Sequence, residues 1–269
     1  MSAARPIDRF EPVFEAQLAQ AGLGSFDDFW QFGGHREQEG QPHDHLCGAA
    51  RAVRIGDQTL SLSVKRQENH CFRSLLHPLR GQPTFWREWR LIHRLRAGGV
   101  PTFDPVYYGE RKEDGRHQAV LVTLALDEFR DLNRGFAERG DLSETQRANA
   151  LQLVALVLLR FHRNRLRHNN LIGDHVVLRF GSDGRVGARL LGLEQVTRAR
   201  HPLDAAARDL AHFIRHTPTL LAEDHQALVR AYAQMLPALV RKALVQTLNQ
   251  VLRAGQQRGG MKHPPIVLE

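Results

Sequence analysis

Lysine is scarce in this chain: Lys65, Lys112, Lys242 and Lys262 stand against 33 arginines. Cysteine is scarcer, with only Cys47 and Cys71. Two thiols without metal-ligand spacing make neither a disulfide framework nor a zinc site, so a reduced compartment is expected. Long apolar runs are missing too. The longest, Leu151–Leu159, is interrupted by Gln152 and closed by Arg160, far short of the roughly 20 residues that a membrane-crossing helix needs. The N-terminal MSAARPIDRFEPVFEAQLAQ carries acids and lacks an apolar core of signal-peptide type. The expectation is a cytoplasmic protein without a transmembrane segment. Zinc-finger spacing, aromatic-interleaved basic strands and basic heptads are absent, which argues against nucleic acid as a partner. The 15 histidines include no H-E-x-x-H, so that metalloprotease motif is excluded.

What the chain does have is positive charge. A net charge of +8 and a pI near 10.3 favour an anionic partner: phosphorylated ligands or acidic head groups. At 269 residues and 42% hydrophobic, it can bury a substantial core as one domain or two lobes.

Periodicity orders the elements. Arg9–Gly22 reads as an amphipathic helix and Phe29–Phe32 as a first strand. The glycine-containing stretch from Gly33 to Gly48 reads as a loop. Arg51–Ile55 and Thr59–Lys65 alternate around Gly56-Asp57, a hairpin pattern. Pro83–Ala97 places Phe85, Trp89, Ile92 and Leu95 at helical spacing, with Pro83 at its start and Gly98-Gly99 at its end. HPLRG before it suits a turn, or places Arg80 near an anion. VPTFDPVYYGER is extended and Ala119–Leu126 is an apolar strand. Ser143–Arg163 is a long helix that Ser143 caps. HVVLRF and ARLLGLE form strands around Ser182-Asp183-Gly184, and helices run from Asp204 to Arg253. HRNRLRH, at the end of the long helix, reads as cations compensating its C-terminus. The last residues read as a tail.

Strands, one helix, strands, then helices is the order of an α+β, bilobal, protein-kinase-like fold. A β-rich N-terminal lobe (1–126) and a helical C-terminal lobe (134–269) would be joined by a hinge at 127–133. In this order the lysine acquires a role. Lys65 closes the apolar strand LSLSVK, and Glu88 lies on the next helix. A strand lysine that grips nucleotide phosphates pairs with a glutamate on that helix. Alone, Lys65 reads as an edge-strand lysine and Glu88 as part of a solvated helix face.

VKRQENHCFRSLLHPLRGQPTFWREW, followed by GVPTFDPVYYGER, resembles the lipopolysaccharide core kinase family of the Kdo/WaaP/InaA type. The likeness runs from about Leu60 to Asp209. It implies a kinase fold, a nucleotide (ATP) held by Lys65 and Glu88, and lipopolysaccharide core or a precursor as acceptor. It further implies work in the cytoplasm, peripheral to the anionic inner membrane. HRNRLRHNNLIGDHVVL falls at the catalytic loop, LLGLEQ at the metal-binding strand end, and Asp209 at an aspartate that braces the loop.

The chain departs from the family pattern where chemistry is done. The catalytic loop reads His168-Asn169-Asn170 in place of His-Arg-Asp, and the amide of Asn170 is a very poor base. The second metal position holds His175, an imidazole where magnesium prefers oxygen. The family's Asp-Leu-Glu becomes Gly192-Leu193-Glu194, and glycine supplies no ligand. Glu194 and Asp174 are the carboxylates left to hold a metal, or they are solvated loop acids. Gly33, Gly34, Gly40 and Gly48 do not compose G-x-G-x-x-G. Two functions stay open: a pseudokinase that binds nucleotide or glycan, or an active ATP-dependent kinase of a Kdo or heptose residue.

Overall fold

Period-two segments of the first part of the chain pair into a five-stranded antiparallel sheet and a separate two-stranded one. The computed structural model describes residues 7–32, 49–55, 58–74, 77–113, 115–137, 142–257 and 263–268. Two compact units divide the chain: Met1–Arg94 with Phe103–Asp127, and Leu95–Thr102 with Glu128–Glu269.

The first unit contains strands β1 (Ile7–Phe10), β2 (Ala49–Ile55), β3 (Gln58–Glu68), β4 (Cys71–Ser74), β5 (His77–Pro83), β6 (Pro105–Glu113) and β7 (Arg116–Leu124). Five of them form a sheet in the order β1-β6-β7-β3-β2, while β4 and β5 pair with each other. Helices α1 (Pro12–Gln20), α2 (Phe26–Gln31) and α3 (Thr84–Ala97), the last as far as Arg94, complete the unit. Strand alternation sends Leu62 and Val64 to one face. There they join Leu18, Phe26, Phe29, Val106, Tyr107, Val120 and Val122 in a buried cluster. Each such side chain contributes about 1.5–3 kcal/mol by leaving water. Phe29 stacks on Tyr107 with ring centroids 4.2 Å apart.

Three local readings are corrected. Phe29–Phe32 is not a strand, because Phe29 lies within α2. Ser25 caps that helix by accepting from the Asp28 N–H, and Asp28 Oδ2 accepts in return from Ser25 Oγ at 2.7 Å. Phe26, Phe29 and Trp30 then share one helical face. The helix expected from Arg9 starts only at Pro12, since Arg9 and Phe10 pair with Tyr108 and Tyr107 in the sheet. HPLRG is not a turn but most of β5; the Arg80 side chain, the Gly56-Asp57 turn and the loop glycines 33, 34, 40 and 48 lie outside the described residues.

The second unit is mainly helical: α4 (Leu132–Ala137), α5 (Glu144–Arg163), α6 (Pro202–His216), α7 (Ala222–Gln234) and α8 (Ala238–Gln257). A full capping box starts α5: the Ser143 side chain accepts from the Gln146 N–H, and the Gln146 side chain accepts from the Ser143 N–H. Such a cap is worth about 1 kcal/mol. Val154, Leu158 and Phe161 recur on the buried face of α5, which packs against α6 and α7. Arg147 on α5 pairs with Asp224 at the start of α7. Short strands β8 (Arg130–Asp131), β10 (Val176–Phe180) and β11 (Val186–Leu190) form a small sheet, and β9 (Leu166–Arg167) pairs with β12 (Thr197–Arg198). Two 3-10 turns, Gly173–His175 and Leu193–Gln195, flank these strands. Among the described residues no helix is long and apolar enough to cross a membrane.

Residues 263–268 are held to α7 and α8 by three side-chain amides, one of them Gln256, whose Nε2 donates to His263 O at 3.0 Å. Gln226 Nε2 donates to Pro265 O at 2.8 Å, and its Oε1 accepts from Val267 N–H at 3.2 Å. Asn249 brackets Ile266 in the same way, at 2.8 Å and 2.9 Å. The Ile266 side chain is buried.

Candidate active site

In the first unit the site begins with strand alternation. Lys65 pairs with Leu121 across β3–β7 and points away from the core face of Leu62 and Val64. Glu88, on the second turn of α3, is 3% exposed although it is an acid. A buried carboxylate needs a partner. Lys65 Nζ donates to Glu88 Oε1 at 3.1 Å, so the pairing expected from the order of strand and helix is present. The same ammonium lies 5.1 Å from the ring centroid of Phe103, a cation–π contact. Lys65 itself is partly exposed.

In the second unit Asp209 organises the loop between β9 and the Gly173–His175 turn. It sits on α6, is 1% exposed, and accepts from His168 N–H at 2.6 Å and Asn169 N–H at 3.0 Å. His162 Nε2 lies 3.3 Å from its Oδ2. Burial pushes the Asp209 carboxyl up, but the hydrogen bonds from His162 and from the His168 backbone outweigh it, so the carboxyl titrates below its ordinary range. Tyr232 on α7 completes the chain with its hydroxyl 3.0 Å from His162 Nδ1. Neither His162 nor Tyr232 was singled out from the sequence. His162 read as one cation of a basic helix end, whereas it is buried against a carboxylate, and its partners lie 47 and 70 residues away in the chain.

The Asp209 brace sets the backbone of the loop. Asn169 adopts φ +66°, a conformation asparagine tolerates better than most residues. Its amide donates to Gln195 O at 2.7 Å and Thr197 Oγ1 at 2.9 Å. His168 is fully buried, and its Nε2 donates to Leu191 O at 2.8 Å. That bond fixes the tautomer, and burial lowers the imidazole's pKa, so the ring is neutral. Asn170 follows, half-buried, with its carbonyl accepting from His175 Nδ1 at 2.6 Å.

His175 explains Gly192. Gly192 has φ +68°, and a β-carbon placed there would lie 2.5 Å from His175 Cγ and 2.6 Å from its Nδ1. The ring of His175 fills the space that a side chain at 192 would enter. His175 is itself 1% exposed. Asp174 is exposed and accepts from Asn133 Nδ2 at 2.5 Å. Asn133 is a further residue that the sequence did not mark, and it takes a hydrogen bond from Thr219. Glu194 is exposed on the Leu193–Gln195 turn. Among the described residues no three His, Cys, Asp or Glu side chains converge as a metal-binding group. The donors at 175 and 192, a buried imidazole and a glycine, do not fit magnesium, which asks for oxygen ligands.

A sheet-rich unit in which a strand lysine pairs with a buried helix glutamate, and a helical unit whose loop is braced by a buried aspartate, define a bilobal, protein-kinase-like fold. The chain belongs to the lipopolysaccharide kinase (Kdo/WaaP) family, whose profile matches residues 38–232. It is 26% identical over 215 residues to Protein InaA of Escherichia coli (strain K12), covering 79% of this chain and 96% of that protein. It shares its fold with WaaP, solved in complex with acyl carrier protein, at a TM-score of 0.61 and 22% identity, over 94% of this chain and 99% of that one. Membership of this family implies nucleotide use in general terms.

Proposed function

We propose that this chain is a pseudokinase of lipopolysaccharide biogenesis, binding nucleotide or glycan without transferring phosphate. It would work in the cytoplasm, peripheral to the inner membrane. The observation that carries this reading is Gly192: it offers no carboxylate, and the His175 ring stands where one would project. Asn170, a neutral amide at the base position, supports the same conclusion. The Lys65–Glu88 pair supports retained binding of phosphates, since a fixed ammonium grips them without a metal. Nucleotide binding would then depend little on magnesium.

Calorimetric titration with ATP, with and without magnesium, tests the reading. Binding of similar strength in both arms, weakened by Lys65→Ala, is the expected result. Incubation with ATP and inner-core lipopolysaccharide acceptors bearing Kdo or heptose should give no phosphorylated sugar. Robust phosphorylation, abolished by Lys65→Ala and by Asp174→Ala or Glu194→Ala, would overturn the pseudokinase reading in favour of an active sugar kinase with a relocated metal ligand.

A further inference from the structure

A second cluster of reactive groups lies at the end of the sheet in the first unit. Cys71 Sγ is 3.5 Å from His117 Nδ1, and His117 Nε2 is 3.7 Å from Glu110 Oε2. Tyr108 Oη donates to the same Glu110 oxygen at 2.6 Å. The sheet register produces this convergence. Glu110 pairs with Ala119 and Lys112 with His117 across β6–β7, so Glu110, Lys112 and His117 project from one face. Asn69 returns the chain from β3 to β4 at φ +58°. Its N–H donates to His117 O at 2.8 Å, and its side chain accepts from His117 N–H at 3.0 Å. This double tie holds Cys71, two residues on, beside the imidazole. Cys71 is a free, partly exposed thiol.

A nucleophile, a base within reach and a carboxylate behind the base are the parts of an activated thiol. We propose that Cys71 is a nucleophilic thiol, with His117 as its base, that forms a mixed disulfide with low-molecular-weight disulfides of the glutathione class. Cys71 sulfur attacks one sulfur of the oxidised disulfide; a new S–S bond forms and the old one breaks. His117 Nδ1 takes the thiol proton and passes it to the departing thiolate. Cys71 is oxidised, and one glutathione sulfur is reduced. Glu110 stabilises the imidazolium while it exists.

The surroundings favour this base-assisted route over a resting ion pair. Burial pushes the Cys71 thiol up, with Lys112 opposing and Glu110 reinforcing. Burial and Lys112 push His117 down, with Glu110 opposing. Both shifts favour the uncharged pair, in which the S–H can donate to Nδ1 across the 3.5 Å contact. At neutral pH the thiolate then forms as the imidazole accepts the proton, because burial outweighs the Lys112 cation that would otherwise favour it.

The test uses the full chain and oxidised glutathione, with intact mass and peptide mapping as readouts. A glutathionyl adduct should map to the peptide that carries Cys71, be absent from that peptide in Cys71→Ser and be released by dithiothreitol. At about pH 7, His117→Gln should slow its formation at least about tenfold, the low side of general-base effects. The gap should close at alkaline pH, where the thiolate forms without a base. Glu110→Gln should slow it less, with the same convergence; this variant keeps the test open should His117→Gln fail to fold. Equal rates for wild type and both variants across the pH range, or reaction no faster than N-acetylcysteine at about pH 7, would overturn the proposal.

Discussion

Asp209→Asn separates a structural brace from a passive core acid. The carboxylate has two oxygens and at least three donors: His168 N–H and His162 Nε2 on Oδ2, and Asn169 N–H on Oδ1. Asparagine keeps the shape but converts one oxygen to a donor. With Nδ2 at the Oδ1 position, the Asn169 N–H loses its acceptor and Arg167 Nε, 3.9 Å from Oδ1, loses its anion; the opposite flip strands two donors. The milder flip still leaves one buried donor unsatisfied, about 1–3 kcal/mol, and turns the remaining charge-assisted bonds into weaker neutral ones. The sum is about 2–4 kcal/mol of lost stability, read by urea denaturation of both proteins at about pH 7. The penalty should depend on pH with a definite sign. The Asp209 pKa is depressed on folding, so the unfolded chain takes up its proton first. Its contribution is fully present above the unfolded carboxyl range and is lost as pH falls through the lower folded value. The gap between wild type and variant should therefore narrow below about pH 4. A variant within about 0.5 kcal/mol of wild type at neutral pH, below the cost of one stranded donor, would refute the assignment of Asp209 as the loop's brace.

Gly192→Asp combines a left-handed backbone with a clash against His175, and should lose about 1–3 kcal/mol of stability without gaining magnesium-dependent nucleotide binding. Adding His175→Ala should recover part of the stability, measured as thermal midpoints of the single and double variants. Lys65→Met leaves Glu88 charged in a buried site, whereas Glu88→Gln leaves a lysine that water can still reach; denaturant midpoints should fall further for the former, by about 1–3 kcal/mol in free energy. His225 is held down to about 4 by burial and by His263. An unfolded imidazole takes its proton near pH 6.5, so this group's stabilisation is full above that pH and falls between about 6.5 and 4, by up to about 3 kcal/mol. His225→Gln should flatten that part of a stability–pH curve.

Where one short stretch holds all the information, the sequence is readable. LSLSVK alternates, so Lys65 had to leave the face of Leu62 and Val64, and the helix that follows carries Glu88 within its reach. Ser143 stands at the end of a polar connector and caps the helix it precedes. The failures have physical causes as well. Phe29 to Phe32 looks strand-like until Ser25 and Asp28 close a helical turn ahead of it. His175 and Gly192 are separated by 17 positions, and only the packing of the ring against the left-handed backbone shows why no side chain fits. His162, Asp209 and Tyr232 come from three helices whose contact no local pattern encodes. Helical periodicity marks a buried face but does not tell a buried histidine from a solvated one.

The two amides that grasp residues 265–267 bear on protein engineering. Among the described residues the hydrogen bonds of Gln226 and Asn249 to this stretch go to main-chain atoms, so they tolerate most side chains there; Ile266 is constrained by its own burial. Trimming the chain ahead of Ile266 strands the Asn249 amide and uncovers the apolar seat of that isoleucine, which invites self-association. Engineered changes are therefore better placed outside residues 263–267 than within them.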